Sequence, residues 1–227
     1  MKRKILLSMF LLFLLLFAVF TFGLLYIDVT DVPDGMGKIG FSSFNLAVRD
    51  AIGTSRAMYI VSEIFGYLSL AFAFLAAFLG LFYLIKNKSF KKVPVEIYLT
   101  GALYVILIVL YLLFDKVVIN YRPVLDNGEW ESSFPSSHTL LALCVCASAI
   151  VLTKRLINKK NVRIGLYITE IVIAAVTVIT RTLSGWHWIT DIIGCIFLSG
   201  LLICIYLWAI ERIRDAIEEK QYKSQEN

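Results

Sequence analysis

Six long runs of apolar residues alternate with short polar segments along this chain and set its predicted architecture. The runs cover 5–27, 57–85, 95–114, 136–153, 164–181 and 188–210. Each approaches the roughly 20 apolar residues that an α-helix needs to cross a bilayer. The first run has 23 residues, longer than the roughly 7–15 of a signal peptide, so we predict that it is a retained span. The pattern predicts an all-α integral membrane protein, with one six-span domain and a charged cytoplasmic tail at 211–227.

The Lys and Arg content of the polar segments predicts which end of each span faces the cytoplasm. Of the 22 Lys and Arg residues, 16 lie at the N-terminus, in 86–92, in 154–163 and in the tail. The other six lie in or beside the segments 28–56, 115–135 and 182–187. Because Lys and Arg accumulate in cytoplasmic loops, both termini are predicted to be cytoplasmic and these three segments to face outward.

The outward segment 28–56 carries a second, shorter pattern. Phe41, Phe44, Val48 and Ile52 recur at helical spacing, as in a helix that lies along the membrane surface. An ordered loop that caps the bundle fits the same residues equally well, and both interpretations stand at this point.

The composition agrees with a membrane protein and removes several other classes. The chain is 59% hydrophobic and 17% charged, with a mean hydropathy of +0.79. The net charge of +5 is not gathered into a basic cluster with interleaved aromatic residues, so nucleic-acid binding is not predicted. All four cysteines lie inside apolar runs, as small core residues do. With two histidines and no Cys-x-x-Cys, neither a metal nor another cofactor is predicted.

The two histidines of the chain, His138 and His187, both lie at outward ends of predicted spans. Charged and titratable groups at a membrane boundary are costly unless they are paired or used, so they indicate a functional site. His187 and Asp191 are four residues apart and share one face of a helix. The carboxylate can then hold one ring N–H while the other ring nitrogen attacks a substrate.

Three basic residues, Lys116, Arg122 and Arg181, lie on the same predicted membrane face. Guanidinium groups suit phosphate oxygens, and the amides of Ser136 and Ser137 open a helix whose N-terminus can bind an anion. One histidine can attack phosphorus while the other protonates the leaving oxygen. The residues therefore predict phosphoryl transfer in which cations stabilise the developing charge.

Three motifs carry a resemblance to a known family. They are Lys116-x5-Arg122-Pro123, Pro135-Ser-Ser-His138 and Thr180-Arg181-x5-His187-x3-Asp191. Together they resemble the signature of the type 2 phosphatidic acid phosphatases, the membrane lipid phosphate phosphatases whose superfamily includes vanadium haloperoxidases. This chain departs from the family pattern at three points. Ser137 replaces the usual glycine, Thr180 replaces serine, and five residues instead of six separate Lys116 from Arg122.

The resemblance implies a role for each motif residue. His187 would be the nucleophile that becomes phosphohistidine, Asp191 its orienting group, and His138 the general acid. The phosphate would be bound by the side chains of Lys116, Arg122, Ser136 and Arg181 and by the amides of Ser136, Ser137 and His138. The resemblance also implies a six-helix fold in which the fourth, fifth and sixth spans form the catalytic core, with no metal.

The predicted function is a metal-independent phosphatase that hydrolyses a phosphomonoester or diphosphate of a membrane lipid at the outer face. The resemblance implies phosphatidic acid, phosphatidylglycerol phosphate or undecaprenyl diphosphate as the substrate. Two alternatives stay open: a lipid-linked phosphotransferase that uses the same site, and a non-catalytic protein that binds or transports lipid phosphates.

Two further carboxylates lie within predicted spans. Glu170, about two turns into the fifth span, is predicted to form a hydrogen bond to a neighbouring helix. Glu63, near the outer end of the second span, is a candidate for the rim of the pocket.

Overall fold

A computed structural model of the protein describes residues 1–31, 37–125 and 130–226. Its α-helices are α1 (Lys2–Tyr26), α2 (Ser42–Ile52), α3 (Arg56–Asn87), α4 (Val95–Lys116), α5 (Ser137–Leu156), α6 (Lys160–Ser184) and α7 (Ile189–Glu226). Two short antiparallel strands, β1 (Thr30–Asp31) and β2 (Lys38–Ile39), and a 3-10 turn at Phe90–Lys92 complete the described structure. The parts of the predicted outward segments at 32–36 and 126–129 lie outside the described residues.

Six of these helices, all except α2, are long and apolar enough to cross a membrane in the described part of the chain. This confirms the predicted all-α, six-span fold. The helices extend past the apolar runs at several ends; α7, for example, continues through most of the predicted tail and ends at Glu226. The tail is rich in Glu, Lys, Arg and Gln, which favour a helix without requiring burial.

The second half of the outward segment 28–56 is a helix, α2, and not an irregular loop. Residues 42–52 are helical, with Asn45 turned inward and Phe44 half exposed. Its position along the membrane surface stays a prediction.

The core of the bundle is built around α5. This helix packs against α3, α4, α6 and α7, while α1 packs along α7. Small residues such as Ala142, Cys144 and Ser148 are completely buried on α5 and allow the neighbouring helices to approach closely. All four cysteines are buried and unpaired, as their positions in the apolar runs predicted.

Ion pairs join several helices at one end of the bundle. Glu96, buried at the start of α4, pairs with Arg214 of α7 and lies 3.5 Å from Arg155 at the end of α5. Lys2 of α1 pairs with Glu211 of α7. Because consecutive spans run in opposite directions, the three motifs gather at the other end.

The buried Glu170 of α6 has the interhelical partner that was predicted. Its Oε1 accepts a 2.7 Å hydrogen bond from the hydroxyl of Thr153 on α5. Glu170 therefore links α5 and α6 far from the three motifs.

Candidate active site

His187 lies in the turn between α6 and α7, where one ring nitrogen is anchored. α6 ends at Ser184, and Gly185 adopts a left-handed φ of 71°. A Cβ on Gly185 would lie 2.5 Å from the carbonyl oxygen of Gly53, so this tight turn requires glycine. His187 Nδ1 lies 3.0 Å from the carbonyl oxygen of Ser133. Because a carbonyl only accepts, Nδ1 carries the proton and Nε2 holds the lone pair.

The second nitrogen of the His187 ring is available for chemistry. Nε2 is buried and has no hydrogen-bond partner among the described residues. Burial, followed by the positive charges of Arg181 and Arg122 and by His138, holds the pKa of His187 well below its ordinary value of 6.5. The ring is therefore neutral at physiological pH, and its Nε2 lone pair can act as a nucleophile.

Asp191 lies one turn into α7 and faces the same imidazole. Its Oδ2 is 3.4 Å from His187 Nδ1, a longer separation than the contact with the Ser133 carbonyl. The same oxygen accepts a 2.9 Å hydrogen bond from the N–H of Trp188, the residue that precedes α7. A carboxylate at the third helical position that bonds to the cap N–H forms half of a capping box. Asp191 therefore stabilises the start of α7 and orients His187. The contact of His187 with the nearer Ser133 carbonyl was not predicted from the sequence.

Two buried asparagines form hydrogen bonds with Asp191 and with its neighbour Thr190. Asn120 donates from Nδ2 to Asp191 Oδ1 at 3.4 Å and accepts from the N–H of Gly40 at 3.1 Å. Asn45 of α2 donates to the carbonyl of Gly40 at 2.9 Å and bonds to the hydroxyl of Thr190. These amides connect the segment around α2 to the catalytic end of α7. The sequence offered one signal for this network, an asparagine inside the first motif.

His138, Arg181 and Glu63 form a second cluster at the same end of the bundle. Arg181 is 1% exposed, and its Nη2 lies 3.1 Å from His138 Nδ1. Its Nη1 donates to Glu63 Oε1 at 2.7 Å and to the hydroxyl of Ser62 at 3.0 Å. Because a guanidinium only donates, His138 Nδ1 is the acceptor and the proton of the neutral ring is on Nε2. That nitrogen lies 3.3 Å from Glu63 Oε2.

One face of α3 forms the wall of this cluster. Tyr59, Ser62, Glu63 and Gly66 recur three or four residues apart, so they lie on one side of the helix. The ring of Tyr59 lies 5.4 Å from the guanidinium carbon of Arg181, in a cation–π arrangement. From the sequence, Glu63 was expected only at the pocket rim. The sequence signal for its inward position was this stripe of small and polar residues in an otherwise apolar helix.

Gly66 gives His138 its space, and this leads to a prediction. A Cβ on Gly66 would lie 2.7 Å from His138 Cδ2, so Gly66→Ala must displace the ring. We expect kcat for phosphate release to fall about 10- to 100-fold, because small misplacements of a catalytic group are costly. Gly101→Ala on α4 is the matched control, because a Cβ there meets nothing within 4 Å. Equal activity of the two variants would contradict this assignment.

The two basic residues of the first motif have different environments. The side chain of Arg122 is 13% exposed; its Nη2 lies 3.1 Å from Glu131 Oε2, and its Nε donates to the carbonyl of Ser132 at 3.4 Å. Lys116 is not brought to the cluster. Its side chain is 81% exposed, and its Nζ pairs with the adjacent Asp115 at 2.9 Å.

The spacing of the first motif explains why Lys116 does not lie in the cluster. α4 ends at Lys116, and one missing residue rotates a helical side chain by about 100°. The Lys116 side chain extends into solvent beside Asp115 and does not reach the cluster. The expected role of Lys116 in phosphate binding is not supported by this geometry.

The serines of the second motif lie at the start of α5. Ser136 is fully buried, and its hydroxyl donates to the hydroxyl of Thr139 at 3.1 Å. Ser137 is the first residue of α5 and is partly buried. The backbone amides of this first turn have no partner inside the helix, so they favour an anion beside His138.

Two buried polar atoms of the cluster lack a hydrogen-bond partner among the described residues. Arg181 Nε and His187 Nε2 are both buried without a hydrogen-bond partner in the described part of the chain. A buried polar atom without a partner costs about 1–3 kcal/mol, so such atoms are usually satisfied by something that binds. A tetrahedral oxyanion suits both atoms. Its oxygens can accept a hydrogen bond from Arg181 Nε, and its central atom can face the lone pair of His187 Nε2.

Comparison with known proteins agrees with this geometry. Residues 114–215, which contain all three motifs, match the PAP2 superfamily model. The structure is similar to the crystal structure of a transmembrane PAP2-type phosphatidylglycerolphosphate phosphatase from Bacillus subtilis. The TM-score is 0.60 and the sequence identity 23%, over 92% of this chain and 96% of that chain. No curated protein matches the sequence. The fold is therefore similar to that of a membrane PAP2 protein.

Proposed function

We propose that this protein is a lipid phosphate phosphatase that works through a phosphohistidine on His187. One observation carries the proposal. The neutral His187 has its Nδ1 fixed on the Ser133 carbonyl and its Nε2 buried and unpaired, next to a buried arginine and a second histidine. This arrangement supplies a nucleophile, a cation for the phosphoryl oxygens and a proton donor in one site.

In the first step, the phosphoryl group moves from the lipid to the enzyme. The lone pair of His187 Nε2 forms the N–P bond while the bond from phosphorus to the lipid oxygen breaks. Arg181 and Arg122 stabilise the negative charge on the phosphoryl oxygens. Protonated His138 gives its Nδ1 proton to the departing oxygen, so the lipid leaves as an alcohol or as a monophosphate.

In the second step, water removes the phosphoryl group from the enzyme. His138, now neutral, accepts a proton from water at Nδ1 as the water oxygen attacks phosphorus. The N–P bond breaks, which restores neutral His187 and protonated His138, and inorganic phosphate then leaves. Asp191 and the Ser133 carbonyl hold the Nδ1 proton of His187 throughout, which keeps Nε2 aimed at phosphorus.

The surroundings of the site favour a lipid as the substrate. The motifs lie at the ends of six apolar helices, so a phosphate head can enter the site while its tail stays in the bilayer. Phosphatidylglycerol phosphate is the first candidate because the similar Bacillus subtilis protein is a phosphatase of that lipid. Phosphatidic acid and undecaprenyl diphosphate are the other candidates. The distribution of Lys and Arg supports an outward-facing site with both termini in the cytoplasm.

Phosphate release from a panel of these three lipids tests the proposal. The detergent-purified protein should release inorganic phosphate from at least one of them, with equal rates with and without EDTA. Acid-labile, base-stable phosphate should appear on the protein during turnover. Binding of the lipids without phosphate release would identify a binding or transport protein instead.

The same assay separates hydrolysis from phosphotransfer. Addition of alcohols or sugars as acceptors should leave the yield of inorganic phosphate unchanged if water is the acceptor. A phosphorylated acceptor formed at the expense of inorganic phosphate would identify a phosphotransferase. Strong inhibition by EDTA would overturn the metal-independent mechanism.

A further inference from the structure

Glu63 shares its carboxylate between two groups that the proposed reaction needs. Oε1 accepts from Arg181 Nη1 at 2.7 Å, and Oε2 lies 3.3 Å from His138 Nε2. Arg181 Nη2 closes the triangle at 3.1 Å from His138 Nδ1. Each of the three side chains therefore contacts the other two. Glu63 belongs to α3, which lies outside the three motifs and outside the segment 114–215 that matches the superfamily.

The triangle keeps His138 neutral while no phosphate is bound. Nδ1 accepts a hydrogen bond from a guanidinium, which cannot give up a proton, so a second proton cannot be added there. A neutral imidazole is a poor acid, and the proposed first step needs the imidazolium. Arg181 Nη2 must therefore leave His138 Nδ1 before His138 can be protonated.

A bound phosphate would cause this change. Phosphoryl oxygens are stronger acceptors for a guanidinium than an imidazole nitrogen, because both partners are charged. When Arg181 Nη2 turns to the phosphate, His138 Nδ1 becomes free to bind a proton from water. Glu63 Oε1 can keep Nη1 in place, so the arginine pivots while it stays in the site.

The charges around His138 make a compensating anion necessary. The charged and titratable groups that face it are Glu63 from α3, Arg181 from α6, Arg122 from the segment between α4 and α5, and His187 from the turn before α7. Two of these are permanent cations, and His187 is neutral. Glu63 is therefore the anion beside an imidazolium on His138, in the same relation as Asp191 to His187.

We propose that Glu63 is a positioning residue that enables His138 to serve as the general acid once a substrate phosphate has engaged Arg181. The proposal rests on the proposed phosphatase function. Glu63 makes no bond to phosphorus or to the leaving oxygen. It holds Arg181 through Nη1 and supplies the negative charge that stabilises the His138 imidazolium.

The leaving group provides the test. Glu63→Gln keeps the size of the side chain and removes its charge. For an alkyl phosphate such as a lipid phosphate, whose alkoxide needs a proton, kcat/KM should fall about 100-fold, the size of a general-acid contribution. For p-nitrophenyl phosphate, whose phenolate leaves without a proton, kcat/KM should change less than about threefold on the same grounds. The alkaline limb of the pH profile for the alkyl substrate should also move to lower pH.

Two matched variants separate this role from simple support of Arg181. Ser62→Ala removes another hydrogen bond to Arg181 Nη1, 3.0 Å long, from the same turn of α3. Because Ser62 has no contact with His138 among the described contacts, it should affect both substrates by the same factor. Glu63→Asp keeps the charge and should restore part of the alkyl activity. In Glu63→Gln/His138→Gln, the loss should be no larger than in His138→Gln alone.

Each alternative result has a defined meaning. If Glu63→Gln slows both substrates equally, Glu63 acts only on phosphate binding and the proposal is wrong. If it lowers KM without slowing the alkyl substrate, Glu63 is an internal anion that competes with the substrate, and the proposal is also wrong. If the parent protein hydrolyses neither substrate, the phosphatase function itself falls, and the role of Glu63 falls with it.

Discussion

Replacement of His187 by alanine should reduce phosphate release from the preferred lipid phosphate by about 10,000-fold or more, as expected for loss of a nucleophile. The reason is that His187 Nε2 is a buried nitrogen without a hydrogen-bond partner among the described residues, on a ring that the charges of Arg181 and Arg122 help to keep neutral. Phosphate release and labelling of the protein by a substrate with radioactive phosphate should both disappear. Retention of even about 1% of the parent rate would show that the nucleophile lies elsewhere.

A rescue experiment controls for damage to the fold. In His187→Gly, free imidazole added to the solution should restore part of the activity, because the missing ring can enter the space it left. The thermal unfolding midpoints of both variants in detergent should stay close to that of the parent. A variant that unfolds early and does not respond to imidazole has lost its structure instead of its nucleophile.

The acidic limb of the pH profile gives an independent measure of His187. The reactive form is the neutral ring, and burial together with Arg181 and Arg122 lowers the pKa of this histidine below 6.5. Lowering that pKa extends the neutral form to more acidic pH, so the acidic limb of kcat/KM should lie below pH 6.5. An acidic limb above that value would show that His187 is better solvated than the structure indicates.

Arg181→Lys should lower kcat/KM by about 100- to 1,000-fold, even though the positive charge is retained. A guanidinium holds Ser62, Glu63 and His138 at once through separate N–H groups. A lysine ammonium is a point charge and cannot reproduce this planar arrangement. The measurement is steady-state phosphate release, with the loss expected mainly in kcat because the oxygens are most negative during transfer.

Arg56→Lys is the matched control for this substitution. Arg56 begins α3 at the same end of the bundle, and its side chain is exposed. It should keep parental activity within about twofold, as is usual for exposed substitutions. If both variants lose activity to the same extent, the effect comes from the overall charge at this end of the protein and not from the site.

The sequence predicted most of the side chains that the structure brings together, but their partners only in part. His138, Arg181 and His187 were identified because histidines and a basic residue at the ends of apolar spans are uncommon and chemically specific. Asp191 was identified because its spacing from His187 is local, four residues along one helix. The predicted place of Lys116 in the phosphate site is not supported by the structure, in which its side chain is exposed and pairs with Asp115. Its direction depends on where α4 ends, which the motif does not specify.

The missed partners are distant in the sequence or lie on the backbone. Glu63 and Arg181 are 118 residues apart, and Asn120 and Asp191 are 71 residues apart. His187 is anchored by the backbone carbonyl of Ser133, and every residue type has such a carbonyl. A sequence pattern therefore carries no information about this contact.

The sequence by itself determined the six spans and predicted which residues would gather at one end of them. Apolar length alone specifies a spanning helix, because each backbone group in a bilayer must be bonded within its own segment. Only the tertiary structure decided that Glu63 completes the cluster of His138 and Arg181 and that Lys116 does not. Those contacts depend on how α3, α4 and α6 are rotated about their axes, which side-chain packing across the whole bundle sets.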